Sequence, residues 1–172
     1  KDSFEQIARK FQHFVSKKTM NIDGLGPQIM NLLLENGIVT TYADLFTLKR
    51  EGLEGLPSFK EKAIRNLLTA VASARKVELG RLIFSLSIGQ VGEETARDLA
   101  HHFRSLDALR QATKVELEAI EGVGPVVAES VYRWFRDKKN IEAVDDLMQH
   151  LEVVAPTTMQ SRGALAGKTV VI

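Results

Sequence analysis

Residues 88–96 read Ile-Gly-Gln-Val-Gly-Glu-Glu-Thr-Ala, and residues 120–128 read Ile-Glu-Gly-Val-Gly-Pro-Val-Val-Ala. Each glycine turn opens an amphipathic run, and the second glycines, Gly92 and Gly124, lie 32 residues apart. A third copy, Ile22-Asp23-Gly24-Leu25-Gly26-Pro27-Gln28-Ile29, sits upstream. Stepping back 32 residues from Gly92 reaches Lys60, inside the degenerate fourth copy Gly55-Leu56-Pro57-Ser58-Phe59-Lys60-Glu61-Lys62-Ala63. A fixed period of this length is the mark of a repeated supersecondary unit. Here each unit reads as helix, glycine hairpin, helix.

The hairpin is a device for gripping a phosphate. Glycine admits a positive φ and has no Cβ to hold a ligand away from the backbone. The helix that follows begins with amides that lack intrahelical partners, backed by the positive end of the dipole. A phosphate oxygen fits there without a charged side chain. One Gly-x-Gly between helices is most often a tight helix–helix turn; recurrence in register favours the phosphate reading.

Composition bounds the alternatives. With 172 residues, 44% hydrophobic and 26% charged, the chain is an ordinary globular sequence of one or two domains. No apolar stretch approaches the roughly 20 residues that span a bilayer, so no membrane partner is expected. No signal peptide is visible and the first residue is Lys1, so the expectation is a fragment. The absence of cysteine excludes disulfides and thiolate metal sites and fits a cytoplasmic protein.

The net charge of +1 says little about partners, but its distribution says more. Arg9, Lys10, Lys17 and Lys18 precede the first hairpin with no acidic residue among them, Lys60, Lys62 and Arg65 flank the second, and Arg133, Arg136, Lys138 and Lys139 follow the last. Any one such run is more often a solvated face. Beside phosphate-gripping turns, they point to a nucleic-acid surface.

The rest of the chain reads as helices and their caps. Ile7, Phe11, Phe14 and Val15 keep a helical spacing, with Phe4, Phe11 and Phe14 expected to find their packing partner upstream of the chain. Asn36-Gly37 should stop one helix as a left-handed cap, and Thr41 and Ser105 should begin others. From about Val154 the sequence turns polar, and Leu165–Ile172 reads as a turn and a β-strand.

Several segments together resemble the bacterial NAD-dependent DNA ligases. His13-Phe14-Val15-Ser16-Lys17-Lys18-Thr19-Met20-Asn21-Ile22-Asp23-Gly24-Leu25-Gly26 is similar to the run that opens the helix-hairpin-helix domain of that family. Gly122-Val123-Gly124-Pro125-Val126-Val127-Ala128-Glu129-Ser130 resembles its last hairpin, and Leu165-Ala166-Gly167-Lys168-Thr169-Val170-Val171 the first strand of the BRCT domain that follows. The resemblance implies an all-α fold of four tandem helix-hairpin-helix motifs arranged as two pairs over 1–153. A remnant of a zinc-finger region falls at 1–8, a linker at 154–164 and the first strand of a truncated BRCT-like domain at 165–172.

It also implies function: a segment that grips the phosphates of nicked duplex DNA while the parent enzyme seals the nick in replication and repair. The family moves AMP from NAD to an enzyme lysine, then to the 5′-phosphate at the nick, before the 3′-hydroxyl closes the bond. The expected DNA-binding residues are Lys17, Lys18, Gly24, Gly26, Gln28, Lys60, Lys62, Gly89, Gln90, Gly92, Thr95, Arg97, Gly122 and Gly124. NAD and Mg2+ belong to the parent enzyme and Zn2+ to an upstream finger; the fragment itself is expected to hold none. Its other partners are the remaining domains of the same ligase chain. It is expected to be monomeric, bacterial, cytoplasmic and nucleoid-associated.

The chain departs from the family pattern in three places. The last cysteine of the family's four-cysteine finger would fall near Ser3, and Lys60 stands where a glycine is usual. The adenylated lysine lies in a Lys-x-Asp-Gly motif that does not occur here, so the fragment should be inactive alone. Two other readings stay open: a stand-alone helix-hairpin-helix scaffold of a repair or recombination protein, and a base-excision glycosylase with Asp137 as its acidic residue.

Overall fold

The computed structural model describes residues 3–57 and 59–156. They form α1 (Phe4–Phe14), α2 (Pro27–Glu35), a 3-10 turn (Tyr42–Thr47), α3 (Arg50–Glu54), α4 (Glu61–Ala74), β1 (Lys76–Glu78) and α5 (Leu79–Ser85). Then come α6 (Glu93–Phe103), α7 (Leu106–Arg110), α8 (Lys114–Glu118), α9 (Pro125–Trp134), α10 (Lys138–Met148) and β2 (Glu152–Val154). The described residues are mostly helical, in keeping with an all-α domain.

Local sequence sets most of these boundaries. Ser3, Thr41 and Thr113 each cap a helix with a side-chain oxygen and donate a return bond from their own amides to the side chains of Gln6, Asp44 and Glu116 three residues on. Ser105 and Asp137 cap α7 and α10 by accepting from the amides of Ala108 and Lys139. Gly37, at φ +69°, ends α2 in the left-handed region, with the Ile38 amide turned back to the Leu33 carbonyl at 3.0 Å.

A longer repeat also emerges, at an offset of 64 residues. Thr41 corresponds to Ser105, the α3 cap Lys49 to the α8 cap Thr113, and the α4 cap Lys60 to the α9 cap Gly124. The buried positions follow the same offset: Leu45 with Leu109, Leu53 with Leu117, Leu56 with Ile120, Phe59 with Val123. The identical register of caps and core makes residues 41–60 and 105–124 structural counterparts. α10 has no counterpart after α4, where β1 begins at once.

The expectation that Phe11 and Phe14 pack against something upstream is corrected. Both are buried within the chain, Phe14 stacked on Tyr42 with ring centroids 4.2 Å apart and edge-on to Phe46 at 6.4 Å. Phe11 meets the edge of Tyr42 at 4.8 Å; Phe4, 45% exposed, is the one left outside.

A second correction concerns strands. β1 and β2 pair in parallel, with Lys76, Val77 and Glu78 opposite Glu152, Val153 and Val154, so Val154 ends a ladder rather than beginning a linker. Alternation on a three-residue strand is too short to read from sequence. Arg75 secures the junction. Its Nη2 donates to the Phe46 carbonyl at 2.5 Å and its Nη1 to that of His150 at 3.2 Å, while its own carbonyl accepts from the Glu152 amide at 2.6 Å. α10 also packs on the 3-10 turn. Residues 157–164 of the expected linker and the expected strand at 165–172 lie outside the described residues.

Candidate nucleic-acid interface

Four turns precede α2, α4, α6 and α9, and they share one backbone design. In each, the apolar residue four before the helix cap and the one directly before it are buried: Ile22 and Leu25, Leu56 and Phe59, Ile88 and Val91, Ile120 and Val123. A bond across the turn closes three of them, from Phe59 to Leu56, Val91 to Ile88 and Val123 to Ile120 at 3.4, 3.1 and 3.0 Å. Burying this pair clamps the turn and pushes the residues between them into solvent.

The cap residues Gly26, Lys60, Gly92 and Gly124 all adopt extended backbone, with φ of −70°, −98°, −92° and −89°. Each carbonyl accepts the first helical bond at 2.9 Å, from Met30, Ile64, Ala96 and Ala128. None offers a side-chain cap. The amides before that first bond therefore remain without a helical partner, three in α4 and α6, two in α2 and α9 where proline takes the first position.

This geometry corrects the role assigned to the glycines. Gly26, Gly92 and Gly124 need no positive φ, and a Cβ built on any of them meets nothing within 4 Å. The left-handed position is two residues earlier, at Gly24 (φ +94°), Gln90 (φ +69°) and Gly122 (φ +90°). Gln90 holds a conformation that a side chain disfavours. Lys60, conversely, has the same backbone as the cap glycines, so lysine at that place leaves the turn intact.

The structure brings the third and fourth hairpins together. Ser130, on α9, donates from Oγ to the Gly89 carbonyl at 2.6 Å, and a Cβ on Gly122 would lie 3.3 Å from Asp98 Oδ2, on α6. Asp98 and Ser130 stand six residues after Gly92 and Gly124, so the contacts are reciprocal: each turn rests on the other unit's second helix. The first hairpin rests likewise on α4, where a Cβ on Gly24 would meet Leu67 at 3.8 Å. Asp98 and Ser130 escaped the sequence reading; their shared offset from the cap was the available signal.

Lys17 and Lys18 are exposed on a turn that is pinned from both sides. Thr19 is 1% exposed and its hydroxyl lies 2.5 and 2.7 Å from the last carbonyls of α1, those of His13 and Phe14. From α5, Arg81 Nη1 donates to the carbonyls of Lys17 and Thr19, both at 3.0 Å. Arg81 was also missed, since an isolated arginine carries no pattern. Gln28 and Lys62 occupy the second positions of α2 and α4 and are exposed, as are Lys60, Gly89 and Arg97; Thr95, third in α6, is half-buried.

Acidic residues temper this surface. Glu61 pairs with Arg50 and Arg65, and Glu93 with Lys18 and Arg97. On α9, hydrogen bonds from Lys114 and then Arg133 hold Glu129 below its ordinary value, and Arg136 lies 4.2 Å over the Tyr132 ring. Asp137 serves as the cap of α10, which gives the carboxylate a structural task. Ser3 does the same for α1, and without cysteine the chain offers no thiolate to a zinc finger.

Two comparisons bear on this arrangement. A family model described as a helix-hairpin-helix motif matches residues 81–144, the span that holds the third and fourth hairpins. A DNA ligase of Limosilactobacillus fermentum is 39% identical over 171 residues, which cover 97% of this chain. The chain spans about a quarter of that relative's length, 25%. Among the described residues, no helix is long and apolar enough to cross a membrane. By this likeness the chain belongs to the DNA ligase family, as a stretch that includes a helix-hairpin-helix motif.

Proposed function

We propose that this chain is the DNA-gripping segment of an NAD-dependent DNA ligase, holding the backbone of a nicked duplex while residues outside it perform the sealing chemistry. The observation that carries the reading is the set of four hairpin helices whose caps share one backbone and offer no side chain to their first amides. Such amides are ready donors to phosphate oxygens, contacts that position DNA without reading its sequence.

Four hairpin motifs in two pairs account for the 64-residue repeat and for the reciprocal contacts of Gly89 with Ser130 and Gly122 with Asp98. The hairpins are unequal. The first and fourth open on Gly-Pro and keep the anion site free of carboxylates, whereas the second and third place Glu61 and Glu93 at the first helical position. The first and fourth are therefore the stronger grips. The NAD chemistry, the Mg2+ it uses, replication and repair, and a following BRCT domain come with the family reading.

The test is titration of the chain against nicked and intact duplexes at several salt concentrations. The expected outcome is micromolar or weaker affinity, indifferent to sequence, with log Kd rising about 0.9 per neutralised phosphate for each decade of salt. Incubation with radiolabelled NAD should leave the protein unlabelled. Binding that is flat in salt, or that discriminates sequences of equal shape, overturns the reading.

A further inference from the structure

A cleft of about 240 Å³ lies beside the third hairpin, lined by Lys18 from the lysine turn, Arg81 from α5 and Glu93 and Arg97 from α6. Three cations from separate segments thus converge where α5 packs on α6, a Cβ built on Gly80 reaching ordinary contact distance of the Arg97 Cα at 3.6 Å. Arg81 is already oriented by its two bonds to the carbonyls of Lys17 and Thr19, made through Nη1 alone.

Two carboxylates share the cleft with these cations, Glu78 and Glu93, and Glu93 is the one that pairs with Lys18 and Arg97. Lys18 Nζ stands 3.5 Å from Oε1 and Arg97 Nη2 stands 3.7 Å from Oε2, with all three side chains 46–71% exposed. Well-made charge-assisted bonds run about 2.7–2.9 Å, so these pairs are loose. Loose pairs on an exposed surface contribute little to folding and yield readily to a competitor. A phosphate would bring more charge and more acceptor oxygens to the same cations.

We infer that the Lys18–Arg81–Arg97 cleft is a phosphate site for the DNA backbone, in which the Glu93 carboxylate stands in until DNA displaces it. The inference rests on the DNA-gripping reading and extends it from the hairpin amides to a side-chain site. The cleft spans the first and third units, so one phosphate held there would fix the spacing of the two hairpin pairs along the strand.

The experiment compares Glu93→Gln with Glu94→Gln in the full chain, measuring affinity for a nicked duplex by fluorescence anisotropy across a salt series. Glu94 is the adjacent carboxylate and does not line the cleft. Releasing two weak pairs should tighten binding about five-fold in Glu93→Gln, with little change in Glu94→Gln. Lys18→Ala with Arg97→Ala should lower the salt slope by about two and abolish the gain from Glu93→Gln. Equal tightening by both glutamines marks a general charge effect and overturns the cleft. So does a gain from Glu93→Gln that persists without Lys18 and Arg97. Inorganic phosphate at millimolar concentration should not block the gain; if it does, the cleft serves free anions instead. Wild-type chain that binds no duplex at all overturns both readings, whereas binding indifferent to Glu93 overturns this one alone.

Discussion

Ser130 Oγ donates a 2.6 Å hydrogen bond to the Gly89 carbonyl, tying the second helix of one hairpin unit to the turn of its neighbour. The same hydroxyl is the atom that a Cβ on Gly89 would approach at 3.2 Å. Ser130→Ala should cost about 1 kcal/mol for the lost bond. Gly89→Ala should also destabilise, but less when Ser130 is already alanine, because the crowding atom has gone. Thermal unfolding of the two single mutants and the double mutant measures the coupling. Strict additivity would show that the two residues do not constrain each other.

Gln90→Gly should stabilise the protein. At φ +69° the glutamine carries a left-handed penalty of about 1 kcal/mol that glycine escapes, offset in part by the entropy glycine loses on folding. The net gain should be a few tenths of a kcal/mol, read as a small rise in Tm. Gly122→Ala should move the other way by about 1–2 kcal/mol, because alanine at φ +90° is strained and its Cβ would crowd Asp98. A Tm unchanged by Gly122→Ala would contradict this account of the turn.

Gly92→Ser and Gly124→Ser separate stability from binding. Both positions have extended backbone and open space, and serine is a slightly better helix cap than glycine, by a few tenths of a kcal/mol. The hydroxyl can accept a bond from the helix's own amide, so folding should be as stable as in wild type or more so. DNA affinity should fall nonetheless, since the same amide is no longer free for phosphate. Gly124→Ser should lose more than Gly92→Ser, where Glu93 already disfavours an anion. Undiminished affinity in a folded Gly124→Ser protein would remove the hairpin from the binding surface.

Lys60→Ala should leave folding unchanged, because the cap offers no side-chain bond to lose. It should weaken DNA binding modestly and lower the salt slope by about one, the behaviour of a point charge rather than a backbone grip. A loss as large as that of Gly124→Ser would mean the second hairpin grips as firmly as the fourth.

Asp44 sets an acid limit on the 3-10 turn. Partial burial alone would raise its pKa, but bonds from the amides and hydroxyls of Thr40 and Thr41 outweigh it and hold the carboxylate below its ordinary 3.8. A lowered folded-state pKa gives stability that is fully present above 3.8 and lost as pH falls through the lower folded value. Asp44→Asn should remove that contribution at neutral pH and flatten the acid limb of a stability–pH curve below pH 3.8. An unaltered acid limb would place the sensitivity elsewhere.

The helices and their ends were legible in the sequence because their causes are local. Thr41, Ser105 and Gly37 act on neighbours a few residues away, and each was found where its chemistry put it. The period near 32 residues located the hairpins but not the roles within them. Gly122 and Gly124 look alike as letters, and only the backbone separates the one at φ +90° from the one in extended chain. Relations at long range stayed hidden: Arg81 reaching the lysine turn, Tyr42 stacking on Phe14, Lys76 pairing with Glu152. Each joins residues whose local pattern carries no sign of the partner.

The junction at Arg75 bears on how the chain folds. A 64-residue repeat suggests two beads, each able to form on its own. Yet α10 covers the 3-10 turn of the first half, and β2 completes the ladder begun at β1. The first half therefore emerges from synthesis with Arg75 Nη1 and the β1 edge still awaiting partners some 75 residues further along the chain. Its late-arriving cover makes the two halves one cooperative unit, which should melt in a single transition rather than bead by bead.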